Sequence, residues 1–330
     1  MEKVNSRRIG CLIPMNDKTK LLIKIAKLYY EDNLTQDTIS RKLRMSRPRV
    51  SRLMQEAVET GIVKITISAE PGEYTSYENK LESKFGLLEA VVVDVSDPDS
   101  PEQVARDLGQ AGADYFSRLV QDGDKVGLTW GISSAAMVEN LRPGKMSNVT
   151  ILQMVGGLGE PGADSHAAGL VSRAAMALSG TFSLMPSPGV VSSIEAANVL
   201  RSDRYISKTL QMVKNIDIAF VGVGAPTKDS LLMRDESIIS WKEMDGLIAA
   251  GAVGDICLHF FDVNGTPIRS ELDDRVIGIS LEDIKKIPRV VGITGGTGKF
   301  QAILGAIRGR FINTLITDSF TARRLIELTE

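Results

Sequence analysis

Residues 34–67 read LTQDTISRKLRMSRPRVSRLMQEAVETGIVKITI, and their order decides the fold of the N-terminal part of the chain. Thr35 stands where an N-cap belongs, its hydroxyl able to accept a hydrogen bond from a first-turn N–H, and Ile39 and Leu43 lie on one face of the segment that follows. That helix should end near Leu43. Ser46 is a second N-cap, and Pro48 falls in the first turn after it, where its missing N–H removes no intrahelical bond. A further helix is therefore expected from about Arg47. Upstream, Leu21, Leu22, Ile25, Ala26, Leu28 and Tyr29 recur at three-to-four-residue spacing, which predicts an amphipathic helix over 18–31. Gly61 permits a turn, and Ile62–Ile67 alternates Ile or Val with polar residues, the pattern of a two-faced strand. The sum is the layout of a winged helix-turn-helix.

On a helical wheel Val50, Leu53 and Ala57 face inward, leaving Pro48, Arg52 and Gln55 outward with Arg49 and Ser51 on the flanks. Arginine suits such a face because its planar fork can grip guanine O6 and N7 in the major groove, or a phosphate. Arg49 and Arg52 are the candidate base readers, and Arg47 and Ser51 complete the DNA-facing set. Thr35 and Gln36, on the helix that crosses the backbone in this docking mode, are candidate phosphate contacts. Charge agrees. The net −2 conceals a basic stretch 1–70 with 14 Lys/Arg against 8 Asp/Glu and an acidic remainder with 25 against 33. Phosphate neutralisation by the small module and repulsion by the body follow from that division.

A chain of 330 residues with 43% hydrophobic and 24% charged residues has material for two domains and is not wholesale disordered. Charges or glycines interrupt every apolar run short of the ~20 residues that span a bilayer, which predicts a cytoplasmic protein with no membrane partner. Cys11 and Cys257 lack metal-ligand spacing and read as reduced thiols; no metal or other cofactor is expected. The polar stretch Pro71–Asn79 reads as a linker, followed by a short helix to Phe85. The expected organisation is 1–70 DNA-binding, 71–87 linker and connecting helix, and 88–330 effector-binding and oligomerisation domain.

In that larger region apolar runs alternate with helical patterns: AVVVDV, KVGLTW, VTILQMV, IDIAFVGVG, DICLHFFDV, RVVGITGG and TLITD. This predicts an α/β fold with a parallel sheet, which places ligands beyond the strand carboxyl ends. Four glycine loops lie there. The first, Gly127–Ser134, offers Thr129, Trp130, Gly131, Ser133 and Ser134: backbone amides, hydroxyls and a helix N-terminus that could surround an anion. It is neither a Walker loop nor a dinucleotide fingerprint. The second, MVGGLGEPGADSH, holds Gly156, Gly157 and His166. In the third, GAVGDI, Asp255 could accept hydrogen bonds from ligand hydroxyls or serve as a strand-end cap. In the fourth, GITGGTGKFQAILGA, Lys299 could bring a compact charge to a phosphate or simply be exposed.

The motifs LYYEDNLTQDTISRKLRMSRPRVSRLM, VGLTWG, VGVGAP, GAVGDICLHFFDVNG and GGTGKFQAILGAIRGRFINTLITD, in that order, resemble the SorC family of bacterial sugar-responsive transcription regulators, over about Leu21 to Leu328. The resemblance implies a large, doubly wound parallel-sheet domain like that of sugar-phosphate isomerases and deaminases, used as a sensor, and tetrameric assembly. Carried over by position, it puts Gly131, Ser133 and Ser134 in a phosphate-facing loop and makes Asp255 and Lys299 acidic and basic effector contacts. This chain has Trp130 and then Ile132-Ser133-Ser134 where some members carry small residues or paired threonines. An indole could stack on an unphosphorylated sugar or polyol, so both effector classes stay open.

Two readings compete. In one the chain is a regulator of a carbohydrate-utilisation operon: a sugar, polyol or sugar-phosphate effector changes subunit pairing, and paired modules read a roughly palindromic double-stranded operator. In the other it is a sugar-phosphate isomerase- or deaminase-like enzyme with Asp255, His166 or Glu195 as general base. With 2 histidines and no paired acid–base motif, the regulator is favoured. An RNA-binding role lacks the aromatic β surface it would need, given 5% aromatic residues.

Overall fold

The computed structural model describes residues 17–64, 74–144, 146, 148–157, 167–227, 230–233 and 238–328. The chain divides into two compact units, residues 1–70 and 71–330.

In the first unit the helix Asp17–Ala26 continues as a π-helical turn, Lys27–Glu31, so the predicted helix 18–31 changes its winding at Lys27. The next helix, Gln36–Leu43, is capped as its sequence predicts: Thr35 Oγ1 accepts from Thr38 N at 3.2 Å. Arg44 takes a left-handed conformation (φ 50°) and closes that helix, and the third helix runs Arg47–Glu59. Ser46 precedes it but makes no side-chain cap. Leu22, Ile25, Leu28, Ile39, Val50, Met54 and Ala57 form the core, each buried Leu, Ile, Val or Met side chain contributing on the order of 1.5–3 kcal/mol and the methyl of Ala57 less. Leu53, expected inside, is only partly buried and touches two small apolar clusters, while Met54 is the buried neighbour. The wheel drawn from Val50 and Ala57 is thus rotated slightly toward Met54. Of the predicted ribbon, Ile62 and Val63 form a bend and Lys64 no regular structure, rather than strand, and Ile65–Ile67 lie outside the described residues.

The second unit begins with a helix, Thr75–Phe85, lying partly within the stretch read as linker. Its Leu81 is fully buried, and Glu82 and Glu78 accept from the amides of Ala90 and Val92, so the helix is part of the body. Among the described residues the strands are β1 (Glu89–Val93), β2 (Lys125–Leu128), β3 (Thr150–Gln153), β4 (Thr181–Ser183), β5 (Ile218–Val221), β6 (Gly254–Ile256), β7 (His259–Phe261), β8 (Arg289–Ile293) and β9 (Thr314–Asp318). Seven form one parallel sheet in the order β1-β9-β8-β5-β2-β3-β4. Two apolar cores cover its faces. Ala90, Val92, Leu152, Ala219, Val221, Val290 and Leu315 point to one; Val126, Leu128, Ile151, Ile218, Phe220, Val291 and Ile316 point to the other, following the period of two. Helices cover both, as a doubly wound sheet requires.

Two elements differ from expectation. The run DICLHFFDV is not a strand of the sheet but a separate antiparallel hairpin, β6–β7. Its two-residue turn is Cys257-Leu258, with φ of 53° and 70°. Such a turn normally asks for Asn or Gly, and an uninterrupted apolar run hides it. The edge strand β4 has the sequence Thr-Phe-Ser, too short and too polar to be recognised. No helix among the described residues is long and apolar enough to cross a membrane.

Candidate functional site

Winding reverses between β2 and β5: from β2 the chain proceeds outward to β3 and β4, then returns to β2's other side with β5 and continues to β8 and β9. Open α/β sheets bind ligands beyond the strand ends at such a point. The segments leaving β2, β5 and β8 hold Thr129–Ser134, Gly222–Gly224 and Thr294–Lys299.

At the β2 exit Thr129 N donates to Phe220 O at 3.3 Å, and its Oγ1 accepts from Gly222 N at 3.1 Å, which locks the exits of β2 and β5 together. Gly131 then has φ 134°, a backbone conformation L side chains rarely adopt, with open space where a Cβ would be. It is the N-cap of the helix Ile132–Glu139 and, having no side chain, caps none of the first-turn amides that a helix start leaves without an intrahelical partner. Gly109 sets the helix in place: a Cβ there would lie 2.5 Å from that of Ala136, so only glycine admits the close approach of the helix Pro101–Leu119. Ser133 and Ser134 are buried. The indole Nε1 of Trp130 and the hydroxyl of Ser134 are buried without a hydrogen-bond partner among the described residues, and the same holds for Thr294 Oγ1 at the β8 exit. Unpaired buried polar atoms are costly, at about 1–3 kcal/mol each, so a cluster of them at a switch point invites a ligand. Thr294 escaped sequence reasoning. A single threonine before two glycines carries no pattern of its own.

Asp255 reaches this place through the hairpin. Its backbone bridges Gly224, with N to O distances of 3.0 and 3.2 Å in the two directions. A Cβ on Gly224 would stand 1.9 Å from Asp255 Oδ1. The carboxylate is 4% exposed and accepts Leu258 N at 3.3 Å. Burial pushes its pKa up to about 6, against the pull of the Leu258 amide and of the Lys299 and His259 charges. Lys299 is half-buried within electrostatic reach of Asp255, and burial moves its ammonium down from the usual lysine range while the Asp255 charge holds it up. The strained turn, with non-glycine residues at positive φ costing on the order of 1–3 kcal/mol each, sits next to this carboxylate. Cys257 in that turn is buried, and burial raises its thiol far above the usual range, so it is no nucleophile. His259 pairs with Asp273 at 2.7 Å. Burial opposes ionisation of Asp273, but His259 and Ser270 hold its carboxyl below the usual range.

Thr129, Trp130, Gly131, Ser133, Ser134, Asp255 and Lys299 thus belong to segments at three adjacent strand exits. Gly156 and Gly157 do not offer their amides: Gly156 N donates to Ile277 O at 2.8 Å and Gly157 N to Ser187 O at 2.9 Å. A Cβ at Gly156 would lie 2.4 Å from Pro188 O, so packing accounts for this glycine. His166 lies outside the described residues. Glu195 is exposed in the first turn of the helix Ile194–Ser202, where hydrogen bonds from its own backbone and from Ser193 lower its pKa, as at a helix start. Among the described residues no group of His, Cys, Asp or Glu is arranged to hold a metal.

In the small unit, Arg47, Arg49, Ser51 and Arg52 are all exposed on the third helix, with Thr35 exposed and Gln36 partly buried on the second. Arg49 and Arg52 form no ion pair among the described residues; Arg52 Nε donates to Pro48 O at 3.4 Å. Arg47 lies 3.7 Å from Asp37, an exposed pair of little stabilising value. Thr35 Oγ1 is occupied in capping, leaving it a positioning contact at most.

The Sugar-bind family of sugar-binding domains matches residues 70–327. The chain is 34% identical over 310 residues to the deoxyribonucleoside regulator of Bacillus subtilis, covering 94% of this chain and 98% of that protein. It is 33% identical over 318 residues to the sorbitol operon regulator of Klebsiella pneumoniae, covering 94% and 99%. The crystal structure of the full-length sorbitol operon regulator SorC from Klebsiella pneumoniae superposes with a TM-score of 0.72 at 33% identity, over 95% of this chain and 100% of that one.

Proposed function

The chain belongs to the SorC family of transcription regulators, and from that premise we propose that it controls a carbohydrate-utilisation operon in response to a small sugar, polyol or sugar phosphate. Its relatives are named as regulators of deoxyribonucleoside and sorbitol functions, which favours regulation over turnover. The helix Arg47–Glu59 reads double-stranded operator DNA through Arg49 and Arg52, with Arg47, Ser51, Thr35 and Gln36 holding it in register. One small module makes few base contacts, so the working form is a homo-oligomer, a tetramer by family resemblance, acting in the cytoplasm on a palindromic site.

The observation that carries the sensor reading is the gathering of three unpartnered buried polar atoms, Trp130 Nε1, Ser134 Oγ and Thr294 Oγ1, at strand exits that also carry Asp255 and Lys299. Trp130 Nε1, the uncapped first-turn amides and Lys299 supply donors and positive charge for an anionic or oxygen-rich end of the effector. Asp255 supplies an acceptor for its hydroxyls. Effector binding shifts the population of DNA-competent states by its differential affinity for them.

A thermal-shift screen of the full chain against sugars, polyols and their phosphates tests this, because a ligand that binds only the folded state raises the melting temperature. The expected result is a selective rise that Lys299→Ala abolishes. No rise with any member of the panel, or a rise untouched by Lys299→Ala, refutes the assignment of this pocket.

A further inference from the structure

We propose that the segment Gly296–Phe300, which carries Lys299, is coupled to the helix Thr75–Phe85 through the C-terminal helix Ser319–Glu327, with Arg324 as the positioning residue. What happens at Lys299 is thereby transmitted to Tyr74. The functional meaning of this route rests on the reading of Lys299 as an effector contact.

The coupling is built from contacts on both sides of the C-terminal helix. Asp318, buried at the end of β9, caps that helix by accepting from Thr321 N at 2.8 Å and Thr321 Oγ1 at 2.7 Å. The same carboxylate accepts Gly296 N at 2.7 Å. Arg324 then grips the segment on either side of Lys299: its Nη1 donates to Thr297 O at 3.5 Å, and its guanidinium lies 4.1 Å from the centre of the Phe300 ring. A cation over an aromatic face is worth roughly 0.5–1 kcal/mol at an exposed site, enough to bias a segment without welding it.

On the other side the C-terminal helix holds the helix Thr75–Phe85 at both ends. Asp94, which follows β1, accepts from Ser319 Oγ at 3.4 Å and from the hydroxyl of Tyr74. Lys84 Nζ donates to Ile326 O at 3.0 Å and to Leu328 O. Leu81 and Leu325 are fully buried in the same core. Strands β1 and β9 are paired with Val93 opposite Asp318, so the two carboxylates that clamp the start of the C-terminal helix leave neighbouring strands. A movement of Gly296–Phe300 therefore reaches that helix at its cap and at Arg324, and reaches Tyr74 through Asp94. Tyr74 is the N-cap residue of the helix Thr75–Phe85, at the end of the second unit nearest in sequence to the DNA-reading module. Coupling of this kind needs a contiguous set of packed contacts and a measured interaction energy between its ends; the first is present.

Amide hydrogen exchange followed by mass spectrometry, on the full-length chain without any ligand, measures the second. The expected result is that Lys299→Ala speeds exchange in 75–85 by about threefold or more, that this response vanishes in an Arg324→Ala background, and that exchange in the helix Ala167–Leu178 stays unchanged throughout. Unchanged exchange in 75–85 for Lys299→Ala, a response that persists undiminished with Arg324→Ala, or an equal rise in 167–178 overturns the proposal. Failure of the ligand screen would count against the effector reading and leave this exchange result standing, so the two can fail separately.

Discussion

Replacing Asp255 by Asn should make the large unit more stable at neutral pH, and the gain should shrink in acid. Burial lifts the folded-state pKa from the ordinary 3.8 to about 6. Because the folded value lies above the unfolded one, the carboxyl's favourable contribution is complete below about pH 3.8 and is lost as pH rises through about 6. Converting that difference at 1.36 kcal/mol per pH unit puts the cost of holding the ionised form at about 3 kcal/mol at pH 7.5 and about 1 kcal/mol at pH 4.5. Asn copies the neutral acid in shape and keeps an oxygen for Leu258 N, which now donates to Asp255 Oδ2 at 3.3 Å. The raised pKa already reflects the attraction of Lys299. Urea denaturation of the full chain followed by tryptophan fluorescence gives the large unit alone, because both tryptophans, Trp130 and Trp241, lie in it. The variant should gain roughly 2 kcal/mol more at pH 7.5 than at pH 4.5. A loss of stability at both pH values, or a gain independent of pH, would refute the reasoning.

Arg52→Ala should weaken binding to operator DNA by about 1–3 kcal/mol, or roughly five- to 150-fold, with the urea transition of the large unit unmoved. Fluorescence anisotropy on a labelled fragment from upstream of the gene measures it, and wild-type affinity would remove Arg52 from the reading face. Gly224→Ala should cost on the order of 1–3 kcal/mol by overpacking, because its Cβ would meet Asp255 Oδ1 at 1.9 Å; wild-type stability in the same urea titration would contradict the tight bridge between β6 and the segment leaving β5.

The small module was legible because its signals are local. Thr35 caps where an N-cap was expected, Pro48 sits in a first turn, and the apolar spacing from Leu22 to Ala57 maps onto two small apolar clusters that share Leu53. The parallel sheet was legible in its apolar runs, and Trp130, Ser134, Asp255 and Lys299 in their glycine loops. Other features depend on tertiary context that sequence pattern does not carry. The hairpin turn uses Cys257 and Leu258 in place of the usual turn residues, so its two strands read as one. The edge strand Thr181–Ser183 has its exposed face in Phe182 and no apolar run. The packing of Gly156 against Pro188, and the orphaned hydroxyl of Thr294, arise from segments far apart in sequence. The start of the helix at Thr75 was hidden because Tyr74 is not a capping residue type, and its partners Asp94 and Ser319 come from elsewhere in the chain.

The pairing of β1 with β9 joins Glu89 to Thr314, the first strand of the sheet to the last. During synthesis the sheet cannot close on that side until nearly the whole chain has emerged, and Lys299 joins Asp255 only late in the same process. The three-helix reader closes within a stretch of fewer than fifty residues through contacts between neighbouring helices, the kind of topology that folds quickly. A nascent chain therefore finishes its DNA reader well before the sensor that governs it, and premature termination would leave the reader without its control.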